Sequence, residues 1–166
     1  MAKKTENSVL ANIRGTIKKH SMLSGGETVL TGLSGGPDSV CLLQLLHKLR
    51  DEFMLKLHAL YLDHGLRPDE TPAEIAFCKK MCEGLSVTFI VRVIDVKNYA
   101  KECNLNKQDA ARELRYRAFE EAAFEIKADK IALGHNADDQ IETFFMRIFR
   151  GSGPKGIAGI PPVRGM

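Results

Sequence analysis

The chain has 166 residues, of which 44% are hydrophobic and 27% are charged, and its net charge is +3 at pH 7. This length supports one well-buried core without a disulfide or metal, and the composition is typical of a globular domain. There is no run of about 18 apolar residues, which excludes a membrane-spanning helix. The N-terminus lacks the apolar segment of a secretory signal, so we predict a cytoplasmic protein without a membrane partner.

Hydrophobic periodicity predicts an N-terminal helix in residues 8–20, followed by short strands that alternate with longer helices. The predicted strands are residues 28–33, 57–62, 87–94 and 130–133. Further helices are predicted after the first strand and in residues 71–85, 108–127 and 137–149, with a short helix or turn in residues 96–103. This alternation predicts an α/β fold: a doubly wound, Rossmann-like parallel sheet with helices on both faces.

Two details of the helices follow from individual residues. Thr71 opens one helix, with Pro72 in its first turn and Glu74 at the spacing of a capping box. The four cysteines form no Cys-x-x-Cys pair, so a metal cluster is not expected. Cys78 and Cys82, four residues apart, are interpreted as small core residues, and Cys41 falls in the apolar stripe of the first crossover helix.

The most informative segment is a glycine-rich loop, Ser34-Gly35-Gly36-Pro37-Asp38-Ser39, between the first strand and its helix. Glycines let backbone amides approach a ligand, and the N-terminus of a helix favours an anion. The hydroxyls of Ser34 and Ser39 can add donors to phosphate oxygens. Asp38 would repel phosphates unless a cation such as Mg²⁺ lay between them. The structural alternative is a plain glycine turn that Asp38 caps.

Two standard nucleotide motifs do not fit this loop. A Walker A loop needs a lysine after its last glycine, and none follows Gly36. The glycine spacing of a dinucleotide fingerprint is also absent.

Four further segments carry charged residues where the predicted strands and helices end. They are Asp63–Arg67 after the second strand, Arg112, Arg115 and Tyr116 on one helix face, Gly134–Glu142 after the fourth strand, and Arg150–Gly156. Ligands in doubly wound sheets bind outside the carboxyl ends of the strands, so the first and third segments are candidates for the same site. Solvated loops, a solvated helix face and N-terminal capping by the carboxylates remain alternatives.

The glycine-rich loop resembles the PP-loop of the N-type ATP pyrophosphatases, in which it holds the phosphates that leave as pyrophosphate. The five segments together, in order over residues 28 to about 160, resemble the tRNA(Ile)-lysidine synthetase family. The resemblance implies an adenine nucleotide alpha hydrolase-like fold. It also implies that residues 1–166 are a single PP-loop ATP-binding catalytic domain from a longer chain. Residues 1–24 would be an N-terminal helix and residues 151–166 a Gly/Pro-rich basic tail.

The resemblance also implies roles for individual residues. ATP phosphates would be bound by Ser34, Gly35, Gly36, Pro37, Asp38 and Ser39, with Mg²⁺ on Asp38, and the adenosine side would be formed by Leu62, His64 and Gly134. The charge that develops during the reaction would be stabilised by Arg112, His135 and Asp138. L-lysine would be held by Asp139 and Glu142, and the anticodon loop of a tRNA would be contacted by Arg115, Arg150 and Lys155.

The reaction that the resemblance implies is ATP-dependent tRNA modification. ATP adenylylates C2 of the wobble cytidine in an isoleucine tRNA with a CAU anticodon. L-lysine is then ligated to form lysidine, with release of AMP and pyrophosphate. The oligomeric state is left open, with a homodimer among the options.

Three other functions are compatible with the same loop. A 2-thiocytidine-type tRNA thiolase would be expected to carry Cys-x-x-Cys pairs, which the chain lacks. A small-metabolite enzyme of the NAD or GMP synthetase type would release AMP without tRNA. A nucleotide-binding module without activity would leave the clustered carboxylates and paired arginines unexplained.

Overall fold

A computed structural model describes residues 2–134, 161 and 163, with side chains from Ser8 onward. The chain divides into two compact units, of which one is Gly25–Gly134 and the other combines Met1–Ser24 with His135–Met166. In the second unit the described element is the helix α1, Ala2–Lys19. All the elements that follow belong to the first unit.

The Gly25–Gly134 unit alternates strands and helices along the chain. Its elements are β1 (Thr28–Gly32), α2 (Pro37–Leu49), β2 (Lys56–Asp63), α3 (Thr71–Gly84), β3 (Thr88–Val93), α4 (Val96–Glu102), α5 (Lys107–Glu125) and β4 (Lys130–Ala132). No helix among the described residues is long and apolar enough to cross a membrane.

The four described strands form one parallel sheet in the order β3-β2-β1-β4. In register, Thr28 of β1 lies beside Lys56 of β2, His58 of β2 beside Thr88 of β3, and Val29 of β1 beside Lys130 of β4. The chain therefore runs outward from β1 to β3 and then returns to the other side of β1. This reversal makes the carboxyl ends of β1 and β4 the topological switch point, where doubly wound folds bind ligands.

Helices cover both faces of this sheet. Leu30 and Leu60 are buried against Phe119 and the alanines of α5, which form one core cluster. Neighbouring strand residues point to the opposite face, because side chains alternate along a strand. There Tyr61 of β2 reaches α3, and α2 packs against β1 and β2. The predicted α/β, doubly wound fold class is confirmed.

Local sequence explains where the helices begin. Pro37, whose ring fixes φ, occupies the first turn of α2 after the extended residue Gly36. The side chain of Asn106 accepts a hydrogen bond of 2.9 Å from Asp109 N and caps α5.

Two expectations about side chains are wrong. Thr71 and Glu74 do not form a capping box: the Thr71 hydroxyl donates to the Arg67 carbonyl at 2.8 Å, while Glu74 accepts a hydrogen bond from Tyr61. The N-cap is Glu70, in a helical conformation without a side-chain cap. Cys41 is exposed on α2 instead of lying in its apolar stripe. The interpretation of Cys78 and Cys82 as core residues is confirmed, because both are fully buried.

Candidate functional site

The phosphate loop, Ser34–Ser39, is held in shape by its own two serines. The Ser39 hydroxyl donates to the Gly36 carbonyl at 2.9 Å and accepts from Ser34 N at 3.1 Å. The two serine hydroxyls lie 3.2 Å apart. Each hydroxyl therefore stabilises the turn from β1 into α2, and the amides at the start of this 13-residue helix face the switch point.

Two glycines shape the backbone around this loop, Gly35 by its conformation and Gly134 by a close approach. Gly35 has φ +79°, a left-handed conformation that favours glycine, and a Cβ there would lie 3.5 Å from Cys78 Sγ. Gly134, just after β4, passes the first turn of α2 so closely that a Cβ would lie 3.1 Å from the Asp38 carbonyl. The structure thus brings Gly134 against the phosphate loop, as expected for two segments at the switch point.

Beside the loop, a cavity of about 370 Å³ opens at the carboxyl end of β2; we call it the β2 cavity. Its wall combines Ser34 of the phosphate loop, the end of β2, the loop that follows and the first turn of α3. The lining residues are Ser34, Tyr61, Leu62, Asp63, His64, Leu66, Arg67, Thr71 and Glu74. The predicted residues Leu62 and His64 therefore share a cavity with the phosphate loop.

One wall of the β2 cavity is a buried tyrosine bonded to a carboxylate. Tyr61 is only 4% exposed, and its hydroxyl donates to Glu74 Oε2 at 2.5 Å. Burial, and to a lesser extent the hydrogen bond to Glu74, raise the pKa of Tyr61 to about 12. The hydroxyl therefore remains a hydrogen-bond donor throughout the physiological pH range.

The cavity is also lined by a histidine, His64. Burial lowers the pKa of His64, and the charge of Arg115 lowers it further, whereas Asp63 acts in the opposite direction. His64 is therefore neutral at pH 7. The Nε atom of Arg115 is buried and has no hydrogen-bond partner among the described residues. The charge of Arg115 therefore acts on His64, which lines the cavity.

Arg112 and Arg115 share Tyr116 as an aromatic neighbour. The guanidinium carbons lie 5.2 Å and 5.8 Å from the ring centroid, within the range of cation–π interaction. Arg112 is exposed and Arg115 is half-buried. The two arginines do occupy one helix face, as predicted, but Arg115 is the one whose charge reaches His64.

Several predicted site residues lie outside the described residues, and their roles stay predictions. They are His135, Asp138, Asp139, Glu142, Arg150 and Lys155. Among the residues that the structure does describe, no group of three His, Cys, Asp or Glu side chains is placed to hold a metal ion.

Sequence reasoning did not single out Tyr61 and Glu74. Tyr61 was part of an apolar strand run, and Glu74 was interpreted as half of a capping box. A signal was available, because Tyr61 stands just before the polar end of β2, and a tyrosine buried there needs a partner for its hydroxyl. The identity of that partner depends on how α3 crosses the sheet.

A comparison with protein families matches residues 5–166 to a family described as the PP-loop domain. The chain belongs to the PP-loop domain family. Membership of this family supports the use of ATP. The residues that this family matches include the glycine-rich loop between β1 and α2.

The curated relatives that this chain matches are longer proteins. A tRNA(Ile)-lysidine synthase of Clostridioides difficile (strain 630) is 42% identical over 156 residues, which are 94% of this chain and 34% of the relative. One of Geobacillus kaustophilus (strain HTA426) is 41% identical over 156 residues, with the same two coverages. The chain thus spans about a third of the length of the curated relatives it matches.

Two solved structures share the fold. The U34-tRNA thiolase NcsA from Methanococcus maripaludis, with its [4Fe-4S] cluster, has a TM-score of 0.78 at 22% identity, covering 92% of this chain and 53% of that one. An NH3-dependent NAD synthetase from Campylobacter jejuni has a TM-score of 0.54 at 14% identity, covering 93% and 76%. At these identities the likeness shows the fold alone, and it agrees with the doubly wound sheet.

The geometry of the PP-loop domain fits a nucleotide phosphate. Gly134 lets the chain after β4 pass close to the backbone of Asp38, and the start of α2 offers backbone amides to an anion. A carboxylate in the first turn of α2 also fits Mg²⁺, which proteins commonly bind through one or two carboxylates together with substrate phosphates.

Proposed function

We propose that the chain is the catalytic domain of an AMP-forming carbon–nitrogen ligase that makes lysidine in the anticodon of an isoleucine tRNA. The proposal is carried by the 42% identity to a tRNA(Ile)-lysidine synthase over a segment that contains the phosphate loop and the β2 cavity. The sequence motifs described above, in their order along the chain, support the same assignment.

The reaction proceeds in two steps. The C2 carbonyl oxygen of the wobble cytidine attacks the α-phosphate of ATP, and the bond to pyrophosphate breaks. The ε-amine of L-lysine then attacks the activated C2, loses a proton to a base, and AMP leaves with the former carbonyl oxygen. The cytidine must leave the anticodon stack to react, which costs little in a single-stranded loop.

The phosphate loop is assigned to the ATP phosphates. Ser34 and Ser39 fix the turn, and the amides at the start of α2 bind phosphate oxygens. Asp38 would hold Mg²⁺, which neutralises charge on the leaving pyrophosphate when it is bound. These groups are preorganised by the fold, so they stabilise developing charge without reorganising during the reaction.

The adenosine of ATP is assigned to the β2 cavity, which Leu62 and His64 line. Gly134, the third residue implied for the adenosine side, lies against the phosphate loop and does not line the cavity. A volume of about 370 Å³ lies within the usual range of small-ligand pockets. Neutral His64 offers one donor and one acceptor there instead of a charge.

The remaining assignments come from the motifs. Arg112, His135 and Asp138 would stabilise charge or move a proton, and Asp139 and Glu142 would hold the lysine ammonium. Arg115, Arg150 and Lys155 would contact the tRNA.

The first experiment measures AMP release from α-labelled ATP by the full-length protein. We expect release that requires both L-lysine and an unmodified isoleucine tRNA transcript with a CAU anticodon. A transcript that carries a uridine at the wobble position is the matched control and should be inactive. AMP release without tRNA would contradict the proposal and indicate an enzyme that activates a small metabolite.

A further inference from the structure

The loop between β2 and α3, residues 64–70, is connected to the sheet through two carboxylates. Asp63 at the end of β2 accepts a hydrogen bond of 2.8 Å from Gly65 N, and Glu74 of α3 contacts both the sheet and the loop. Glu74 Oε2 accepts the hydrogen bond from the buried Tyr61 of β2, at 2.5 Å. Glu74 Oε1 lies 3.2 Å from the Arg67 guanidinium, in the loop. The two oxygens of Glu74 therefore join a rigid strand to an exposed loop.

Arg67 has a second ion pair, which does not reach the sheet. Its guanidinium lies 2.8 Å from Glu70 Oε2, but the side chains of both residues are mostly exposed. Exposed pairs of this kind contribute little on their own. The Arg67 end of the Glu74 pair is equally exposed, and the difference lies in Glu74 itself: its side chain is only 27% exposed and its other oxygen is bonded to Tyr61.

This connection matters because the loop forms part of the β2 cavity. His64, Leu66 and Arg67 line the cavity together with Tyr61 and Glu74. Gly65, with φ +62°, gives the loop a sharp turn, and Leu66 is exposed. Few apolar contacts hold such a segment in place, so its position depends on its polar links.

We propose that Glu74 is a positioning residue of the nucleotide site, which fixes the β2–α3 loop by bonding Tyr61 and Arg67 at once. The inference rests on the proposed function only in taking the β2 cavity as the adenosine site. Glu74 acts through the loop and takes no part in the chemical steps.

The test compares ATP affinity, measured by calorimetry without tRNA or lysine, among variants of the full-length protein. We expect Tyr61→Phe, Arg67→Ala and Glu74→Gln each to weaken ATP binding about threefold to tenfold, the effect of losing one hydrogen bond to a charged group. If Glu74 links the other two, adding Arg67→Ala to Glu74→Gln weakens binding no further.

Two control variants separate positioning from a general loss of structure. Arg92→Ala removes the exposed ion pair between Arg92 on β3 and Glu125 on α5, away from the cavity, and should leave ATP affinity unchanged. Glu70→Gln removes the other partner of Arg67 and should have little effect. In steady-state assays the three test variants should raise the KM for ATP while kcat and the KM for lysine stay at the parent values.

The outcomes are distinct. Unchanged ATP affinity in Tyr61→Phe and Glu74→Gln, with folding intact, would overturn the inference and leave the proposed function standing. A parent protein that binds ATP and makes no lysidine would contradict the proposed function alone. If Glu74→Gln does not fold, Tyr61→Phe and Arg67→Ala still decide, because each removes one half of the link.

Discussion

A residue without a side chain, Gly134, lies close to the phosphate loop. Gly134 lies so near the first turn of α2 that a Cβ would be 3.1 Å from the carbonyl carbon and oxygen of Asp38 and 3.2 Å from Ser39 N. All three are backbone atoms, which cannot move aside as the end of a flexible side chain can. An added methyl group must therefore displace the phosphate loop or the chain that follows β4.

We predict that Gly134→Ala weakens ATP binding about tenfold, because overpacking of this kind costs about 1–3 kcal/mol. Gly84→Ala is the matched control. Gly84 is the last residue of α3 and a Cβ there meets nothing within 4 Å. Calorimetric titration with ATP should show parent affinity for Gly84→Ala. Equal affinities for both variants would mean that the loop tolerates the displacement.

The glycine-rich loop could be predicted from the sequence because its residue types and its capacity to bind an anion both depend on the same local backbone. Glycines, a helix start and two hydroxyls are sufficient to indicate an anion site there. The pairing of Tyr61 with Glu74 could not be predicted in this way, because it joins residues on different elements. The sequence around Thr71 is also compatible with a capping box. Only the tertiary packing brings Glu74 to the hydroxyl of Tyr61.

Among the helices, α5 packs on the sheet through an aromatic ring together with two buried alanines. Phe119 is 5% exposed and belongs to the core cluster with Leu30 and Leu60. Its ring lies over Gly32, where a Cβ would approach Phe119 Cζ to 2.9 Å. The absence of a side chain at the end of β1 thus allows the helix to pack closely.

We predict that Phe119→Ala lowers the free energy of unfolding by about 3–5 kcal/mol, the usual cost of truncating a buried phenylalanine. Phe124→Ala on the same helix is the control, because Phe124 is 87% exposed and should change stability little. Urea unfolding followed by circular dichroism measures both. Similar losses in the two variants would show that the ring of Phe119 does not anchor α5.

The elements themselves were predictable because strands and helices have different hydrophobic periods. The predicted strand at residues 87–94 and the predicted helix at residues 108–127 correspond to β3 and α5, with ends that differ by one or two residues. Helix ends depend on caps and turns, such as the Asn106 cap, that periodicity does not contain.

At the scale of the whole molecule, the order of the strands cannot be read from local pattern. β1 pairs with β4, about a hundred residues along the chain, and the link is reinforced by Asp129, whose carboxylate accepts a hydrogen bond of 2.8 Å from Thr28 N. This pairing places Gly134 at the phosphate loop. Alternation of strands and helices predicted a parallel sheet, whereas the resemblance to a known family was needed to expect a particular nucleotide site within it.

Two histidines of β2 and its loop link folding to pH. Burial lowers the pKa of both His58 and His64 in the folded protein, and the charge of Arg115 lowers that of His64 further. The unfolded chain therefore binds more protons than the folded one as the pH falls through about 6.5, the ordinary pKa of histidine. The free energy of unfolding must then rise with pH across this range and fall on acidification.

We predict that His58→Gln combined with His64→Gln flattens the pH dependence of stability between pH 7 and pH 5. Urea unfolding curves measured at several pH values would give this slope for the parent, for each single variant and for the double variant. The carboxylates titrate in all four proteins, so the differences in slope report the histidines. Each single variant should remove part of the slope and the double variant the most.

Parallel curves for parent and double variant would show that both imidazoles accept protons as readily in the folded protein as in the unfolded chain. The cavity wall at His64 would then be open to water at the imidazole, and the neutral donor and acceptor assigned there to a nucleotide would be replaced by a charge at mildly acidic pH.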